Sequence, residues 1–441
     1  MNGRHLLACL AGISLPVAAM DLREAWDLFQ YQGPIYRAAV HEKDAGLEYR
    51  ALGKAGLLPQ INATAYENQV NGTQEQGDND NDLDYDAKGA AIRLRQPLFN
   101  KQKMADYRQG KQRADYSVAV FDAKRQEAAI NLASRYAEVL LARETIELAS
   151  AKHRAFEEQL ASAKRRYELG EGTVTDVDEA TARRDLAQAE LIEAEDRLVV
   201  ALRLLQEYLS EVPESLATLH ASFPTPPLEP ANLQDWLVKA KADNPTIHAR
   251  RYSHAVAEED VNKAKSGHWP TLDFVAGYTA GESETISTLD QRNRYSSIGL
   301  EVNIPLYSGG SVSAQSRQAV ANRDRAAEEL NASREEVISG TTREFRGVQS
   351  GATRIRALET AVTSSERSLD STKKGFLAGT STNVDILNAE ELLYTARRDL
   401  FEAKLRYLIS RLRLAASVGS LGDDDIDQVN AYLGPEMRLS P

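Results

Sequence analysis

Strict alternation of apolar and polar side chains marks four stretches of this chain. Ile298, Leu300, Val302 and Ile304 alternate with Ser297, Gly299, Glu301 and Asn303. Leu272, Phe274, Ala276 and Tyr278 follow the same period, as do Ile92 and Leu94 against Arg93 and Arg95, and more weakly Ile61, Ala63 and Ala65. A period of two gives a strand with one apolar and one polar face. The pattern predicts strands over about 60–74, 87–97, 271–281 and 295–305, with polar hairpin tips at 75–86 and 282–294.

After each strand pair the period changes. Residues 100–169 and 311–377 run for 70 and 67 residues without a proline. Ala129, Leu132, Tyr136, Val139 and Ile146 are spaced 3-4-3-7, a coiled-coil seam, and Ala133, Ala137, Ala149 and Ala151 allow close helix approach. A straight helix of that length spans roughly 105 Å. Turns containing Gly170/Gly172 and Gly379 reverse the chain, and shorter helices return over about 173–210 and 382–418. Further helices, 21–56 and 232–267, precede the strand pairs, each interrupted at its first proline.

This order occurs twice. Pro34 and Pro59 are 25 residues apart, as are Pro245 and Pro270. Tyr167-x-x-Gly170-x5-Asp176-Val177-x-x-Ala180 matches Phe376-x-x-Gly379-x5-Asp385-Ile386-x-x-Ala389, and Gln96-Pro97-Leu98-Phe99 matches Ile304-Pro305-Leu306-Tyr307. The expected organisation is a signal peptide over 1–19, a first repeat over 20–212, a Pro-rich linker over 213–231, a second repeat over 232–420 and a polar C-terminal tail over 421–441. Pro59, Pro97, Pro270 and Pro305 stand at the four strand–helix junctions, where proline stops a ladder or starts a helix.

Arg4 and His5 followed by the apolar run Leu6–Ala19, with small residues at Val17-Ala18-Ala19, read as a secretory signal. The single cysteine, Cys9, falls inside it, which excludes a Cys/His zinc site from the mature chain. No later run approaches the ~18–20 apolar residues of a spanning helix, so membrane entry would need strands. Four strands cannot close a barrel, because the smallest membrane barrels have about 8. Two, three or four chains must then share one.

A net charge of −12, from 53 basic and 65 acidic residues, argues against a nucleic-acid binder. The scattered histidines form no HExxH pattern, and no GxxxxGK phosphate loop is present, so no cofactor is expected and energy must come from a partner. Asp78, Asp80, Asp82 and Asp84 fail the EF-hand signature, with Leu83 and Gly89 at its Gly and Glu places, and no metal site is expected. Nothing resembles a catalytic constellation, so an enzyme is not expected.

The ordered set of motifs resembles the TolC family of bacterial outer-membrane channels. It comprises the Asn244-Pro245 helix start, Leu58-Pro59-Gln60 and Trp269-Pro270-Thr271, the two strand exits, and the turn from Gly379 to Ala389, and it covers about Asp21 to Gly422. The resemblance implies a mainly α fold with a membrane β-barrel portion. The duplicated helix–hairpin–long helix–helix repeat would assemble as a homotrimer, with a 12-stranded barrel in the outer membrane continuous with a 12-helix periplasmic α-barrel. It also implies docking onto a periplasmic adaptor and an inner-membrane transporter, ABC or proton-driven. The absence of a usable lipidation cysteine favours type I protein secretion; drug efflux through the same architecture is the alternative. A secreted coiled-coil adhesion or scaffold protein is the reading from another class, and it leaves the four strands unexplained.

Asp176, Asp178 and Asp385 follow the two turns and would form acidic rings at a periplasmic entrance. Equally, Asp176 and Asp385 would serve as helix caps; the resemblance favours the aperture. Asn388 stands where the family can carry a second acidic ring. Phe376 and Ser381 stand where the family closes the entrance with a tyrosine and an arginine, so Arg165, Arg166 or Lys374 would have to hold it instead. The resemblance places adaptor contact on the same hairpins, around Tyr167, Gly170, Gly172, Gly379 and Thr380.

Overall fold

A computed structural model describes residues 19–439, apart from 78, 212, 286 and 287. The expected signal segment 1–19 lies outside them except for Ala19. Numbered in chain order, the elements are α1 (Leu22–Gln32), α2 (Pro34–Leu47), α3 (Tyr49–Ala55), β1 (Gln60–Gln76), β2 (Asn79–Phe99), α4 (Lys101–Glu168), α5 (Val174–Leu209) and β3 (Ser215–Leu219). They continue with α6 (Leu233–Asp243), α7 (Pro245–Ser266), β4 (Thr271–Thr285), β5 (Thr288–Asn303), α8 (Ser311–Leu377), α9 (Asn383–Ser417), α10 (Asp423–Asn430) and β6 (Leu433–Arg438). Pro34 and Pro245 each occupy the first position of a helix, where the missing N–H costs nothing. The chain forms two compact units.

One unit gathers the described parts of Met1–Val40, Ala123–Asn244 and Glu336–Pro441. Its core joins Leu22, Trp26 and Phe29 of α1, Leu132, Tyr136 and Leu140 of α4, Leu205 and Leu209 of α5, and Tyr407 and Leu412 of α9. The buried Tyr136 hydroxyl lies 2.7 Å from the carbonyl oxygen of Ala217 and 2.9 Å from that of Met20, and burial pushes its pKa up. The expected linker and polar tail are packed structure. β3 and β6 pair antiparallel with Leu216 opposite Met437, and Phe223, Ile426, Val429, Leu433 and Leu439 are buried in the same core. Prolines dominate the composition of the first stretch and acids that of the second. The few apolar residues between them, recurring every three or four positions in the tail, are enough to anchor both.

The other unit comprises His41–Asp122 and Pro245–Glu335. Its four-stranded sheet has the order β1-β2-β4-β5, antiparallel throughout, so β1 and β5 are its edges. Register places Ile61, Leu94, Ala276 and Ile298 in one row and Asn62, Arg93, Gly277 and Ser297 in the next. Directly paired residues share a face, so the sheet has one apolar side and one polar side. The apolar side is uncovered: Ile61, Ile298 and Leu300 are 66%, 76% and 65% exposed. On the polar side, Arg95 donates to Asp273 at 2.6 Å, and Glu301 lies 3.6 Å from the same guanidinium.

The strands exceed the expected ranges because the ladder continues where the apolar row of Ile61 and Leu94 gives way to polar residues. Gln69, Asn71 and Thr73 face Asp86, Asp84 and Asp82, and the first hairpin closes around Gly77, whose φ is +67°. Pro97 does not end β2; it sits inside it, at the register shift between Pro97 and Phe99. A residue without an N–H is tolerated where a bulge removes a ladder bond. Pro59 and Pro270 directly precede β1 and β4, and Pro305 follows β5 in the segment leading to α8.

Candidate functional site

The two helical turns belong to the first unit. Each repeats one local design. Gly170 and Gly379 adopt φ of +75° and +76°, the left-handed region in which a side chain would be strained. The chain then folds back on the last helical carbonyls: Glu171 N–H donates to Arg166 O at 2.8 Å, and Thr380 N–H to Gly375 O at 2.8 Å. Gly172 and Ser381 N–H make the same kind of bond, to Arg166 and Gly375, and the Thr380 hydroxyl donates to Gly375 O.

Each returning helix opens with a capping box. Thr382 accepts from Asp385 N–H, while Asp385 Oδ2 accepts from Thr382 N–H and from its hydroxyl, both at 2.7 Å. Thr173 and Asp176 do the same for α5. The capping role is thus observed for both aspartates. A capping carboxylate stays charged, so capping does not remove the residue as a charge facing solvent. These hydrogen bonds hold the Asp385 carboxyl below its ordinary pKa, and its side chain is exposed. Asp178, two residues further along α5, is exposed as well.

Four of the remaining candidates have side-chain partners. Arg166, near the end of α4, lies over the Phe376 ring of α8 at 4.6 Å, so the phenylalanine makes a cation–π contact. Lys374 is engaged with Asp370 on its own helix, 2.6 Å away. Asn388 Oδ1 accepts from Arg183 Nη2 of α5 at 3.0 Å. Tyr167 is exposed beside the first turn. The joint prolines Pro59, Pro97, Pro270 and Pro305 lie in the other unit.

Further from the turns is a group the sequence reading missed. Lys152 of α4, with only 7% of its side chain exposed, places Nζ 2.7 Å from Glu190 Oε2 of α5 and 2.6 Å from Glu391 Oε2 of α9. Beside it, Phe156, Ala187 and Leu387 of the same three helices form a small buried cluster. The signal was in the spacing: Ala149, Lys152, Phe156, Leu160 and Ala163 form one apolar stripe of α4, and the lysine is its charged member.

Among the described residues no group of three His, Cys, Asp or Glu side chains is placed to hold a metal ion, and no helix is long and apolar enough to cross a membrane. What the arrangement offers is charge and mechanical linkage at two helical hairpins.

The family model described as "Outer membrane efflux protein" matches residues 33–211 and 236–420. The alkaline protease secretion protein AprF of Pseudomonas aeruginosa is 34% identical over 442 residues, covering 98% of this chain and 92% of that one. The proteases secretion protein PrtF of Dickeya chrysanthemi is 34% identical, covering 94% of this chain and 91% of its own length. The outer membrane protein TolC of Vibrio cholerae is 29% identical, with 97% of both chains covered. In structure, the outer membrane protein VceC of Vibrio cholerae matches with a TM-score of 0.74 at 19% identity, covering 90% of this chain and 96% of that one, which is a likeness of fold.

Proposed function

The chain belongs to the outer membrane efflux protein family, and from that premise we propose that it is the outer-membrane exit duct of a tripartite export system, carrying proteins by type I secretion. The observation that carries the duct is the sheet of the second unit. It has two unpaired edges and an apolar side open to its surroundings. Unpaired backbone groups in hydrocarbon cost several kcal/mol each, so the edges need partners. β1 and β5 run in opposite directions, and β5 of one copy can extend the antiparallel order onto β1 of the next. Three copies give twelve strands in this reading. The apolar rows from Leu272 to Ala280 of β4 extend about 27 Å along the strand, or about 20 Å in height at the usual tilt. The Glu282–Arg292 ion pair, at 2.7 Å, closes the band. The polar side then lines the lumen, and the helical hairpins reach the periplasm. There the turns around Tyr167, Gly170, Gly172, Gly379 and Thr380 receive the adaptor, which joins the duct to an inner-membrane transporter, ABC or proton-driven.

Protein cargo is favoured by the two relatives at 34% identity, both named for protease secretion. Deleting the gene should abolish an extracellular protein while leaving drug tolerance unchanged. Drug hypersensitivity with intact secretion would contradict the assignment.

At the entrance, Asp385 supplies a ring of three carboxylates, with Asp176 and Asp178 in further rings. Asn388 is taken up by Arg183 and adds no charge. Asp385→Ala should weaken block by multivalent cations in planar bilayers. Because the hydrogen bonds from Thr382 hold the folded carboxyl below its ordinary pKa, its share of the cation preference should persist through neutral and mildly acidic pH and fade only as pH drops through that lowered pKa. Preference that collapses near pH 6 would point to other groups. Arg166 over Phe376 holds the two hairpins together at their tips in place of a tyrosine–arginine link, and Ser381 takes no part. Phe376→Ala should raise resting conductance; an unchanged value would remove that pair from the gate.

A further inference from the structure

The bonds around the helical hairpins fall into two sets. Some stay within a hairpin: Lys373 with the buried Glu390 at 2.9 Å, and Arg397 with Glu366 at 2.8 Å, both tie α8 to α9. Lys152 with Glu190 ties α4 to α5. Others cross between hairpins: Arg166 with Phe376 at the tips, then Lys152 with Glu391, Arg183 with Asn388, and the contact of Phe156 and Ala187 with Leu387. Each hairpin is therefore fastened to itself, and the seam between the two is carried by a short series of rungs.

Lys152 is the rung with the most at stake. Its ammonium is buried, whereas Glu190 and Glu391 are 53% and 40% exposed. A buried ammonium is stable only while carboxylates compensate the lost water. Separating α9 from α4 removes one of the two and leaves the lysine short of a partner. The bond resists separation more than a surface ion pair would, yet it breaks cleanly, because Glu391 passes directly into solvent. A cavity of about 230 Å³, lined by Lys152, Glu190, Glu391, Tyr394 and Arg398, adjoins it and gives water a route to the broken pair.

We propose that Lys152 and Glu391 form a second latch of the closed channel, set back from the entrance, which must open before the α8–α9 hairpin can move away from α4–α5. The latch lies 18 residues from Gly170 along α4, or about 27 Å up the helix, so it is separate from the contact of Arg166 with Phe376 at the tips. Opening at the tips alone leaves it closed. The inference rests on the channel reading, and it adds a residue pair that controls passage.

The test uses the full-length protein, extracted in detergent and placed in planar bilayers, with three variants. Glu391→Gln breaks the crossing bond and should raise resting conductance several-fold. Glu190→Gln removes the same charge from the bond internal to one hairpin and should change conductance little, which separates the latch from a simple effect of lumen charge. The swap Lys152→Glu with Glu391→Lys, made together with Glu190→Gln so that the new carboxylate does not face Glu190, should return conductance toward that of the parent. The latch is overturned if Glu391→Gln conducts like the parent, if Glu190→Gln is equally leaky, or if the swap is as leaky as Glu391→Gln. A parent protein that forms no conducting pore at all contradicts the channel reading itself, so the two failures are distinguishable.

Discussion

Ile298→Arg should abolish assembly in the membrane, whereas Ser297→Arg, one residue earlier, should be accepted. The two positions are adjacent in β5 but lie on opposite sides of the sheet. Ile298 stands in the apolar row with Ala276, Leu94 and Ile61, and Ser297 in the polar row with Gly277, Arg93 and Asn62. An arginine at mid-depth on the lipid face of a barrel costs about 2–4 kcal/mol. In the proposed trimer three copies would raise this to about 6–12 kcal/mol, comparable to the whole stability of a domain. An arginine facing water in the lumen incurs no such cost. Heat-modifiable migration and recovery in the outer-membrane fraction read the outcome. Loss of both on Ser297→Arg, with Ile298→Arg unaffected, would invert the assignment of faces.

Truncation after Asn430 should prevent folding of the unit that carries the helical hairpins. It removes β6, and with it the partner of β3 and the buried side chains of Leu433, Met437 and Leu439. Burying each such side chain contributes about 1.5–3 kcal/mol. The combined loss of about 5–9 kcal/mol rivals a typical net stability. Limited proteolysis of the truncated chain should show rapid cleavage within residues 213–231, which β6 otherwise holds in place. A resistant, normally assembled product would show that the terminal strand is dispensable.

That segment also marks where the sequence was hard to read. Its strand is five residues long and its partner lies over two hundred positions away, so neither carries the two-residue period of a strand above the prolines and aspartates around it. The long helices, the glycine turns and the lipid-compatible rows were legible because each requires a particular residue at fixed spacing. The upper strands were not. Once the face that carries Ile61 and Leu94 turns polar, as at Asn71 opposite Asp84, the apolar row that marked the strands ends while the backbone ladder runs on. Of the candidate site, the Gly170 and Gly379 turns and the two capping aspartates could be located from the chain alone, because the turn chemistry is local. Contacts across hairpins, such as Arg166 with Phe376 and Lys152 with Glu391, depend on how the helices lie against each other. Arg166 was one of three cations that the resemblance offered for the entrance, and Lys152 hinted at its role only by occupying an apolar stripe.

The proposed duct requires the four-stranded sheet to be completed by other copies of the same chain. The most direct measurement is the mass of the detergent-extracted protein, by native mass spectrometry or light scattering corrected for detergent. Three chains per particle, inseparable without denaturation, is the expected result. A stable single chain that remains soluble when detergent is removed would contradict it, because a sheet with two bare edges and an apolar side could then exist in water by itself.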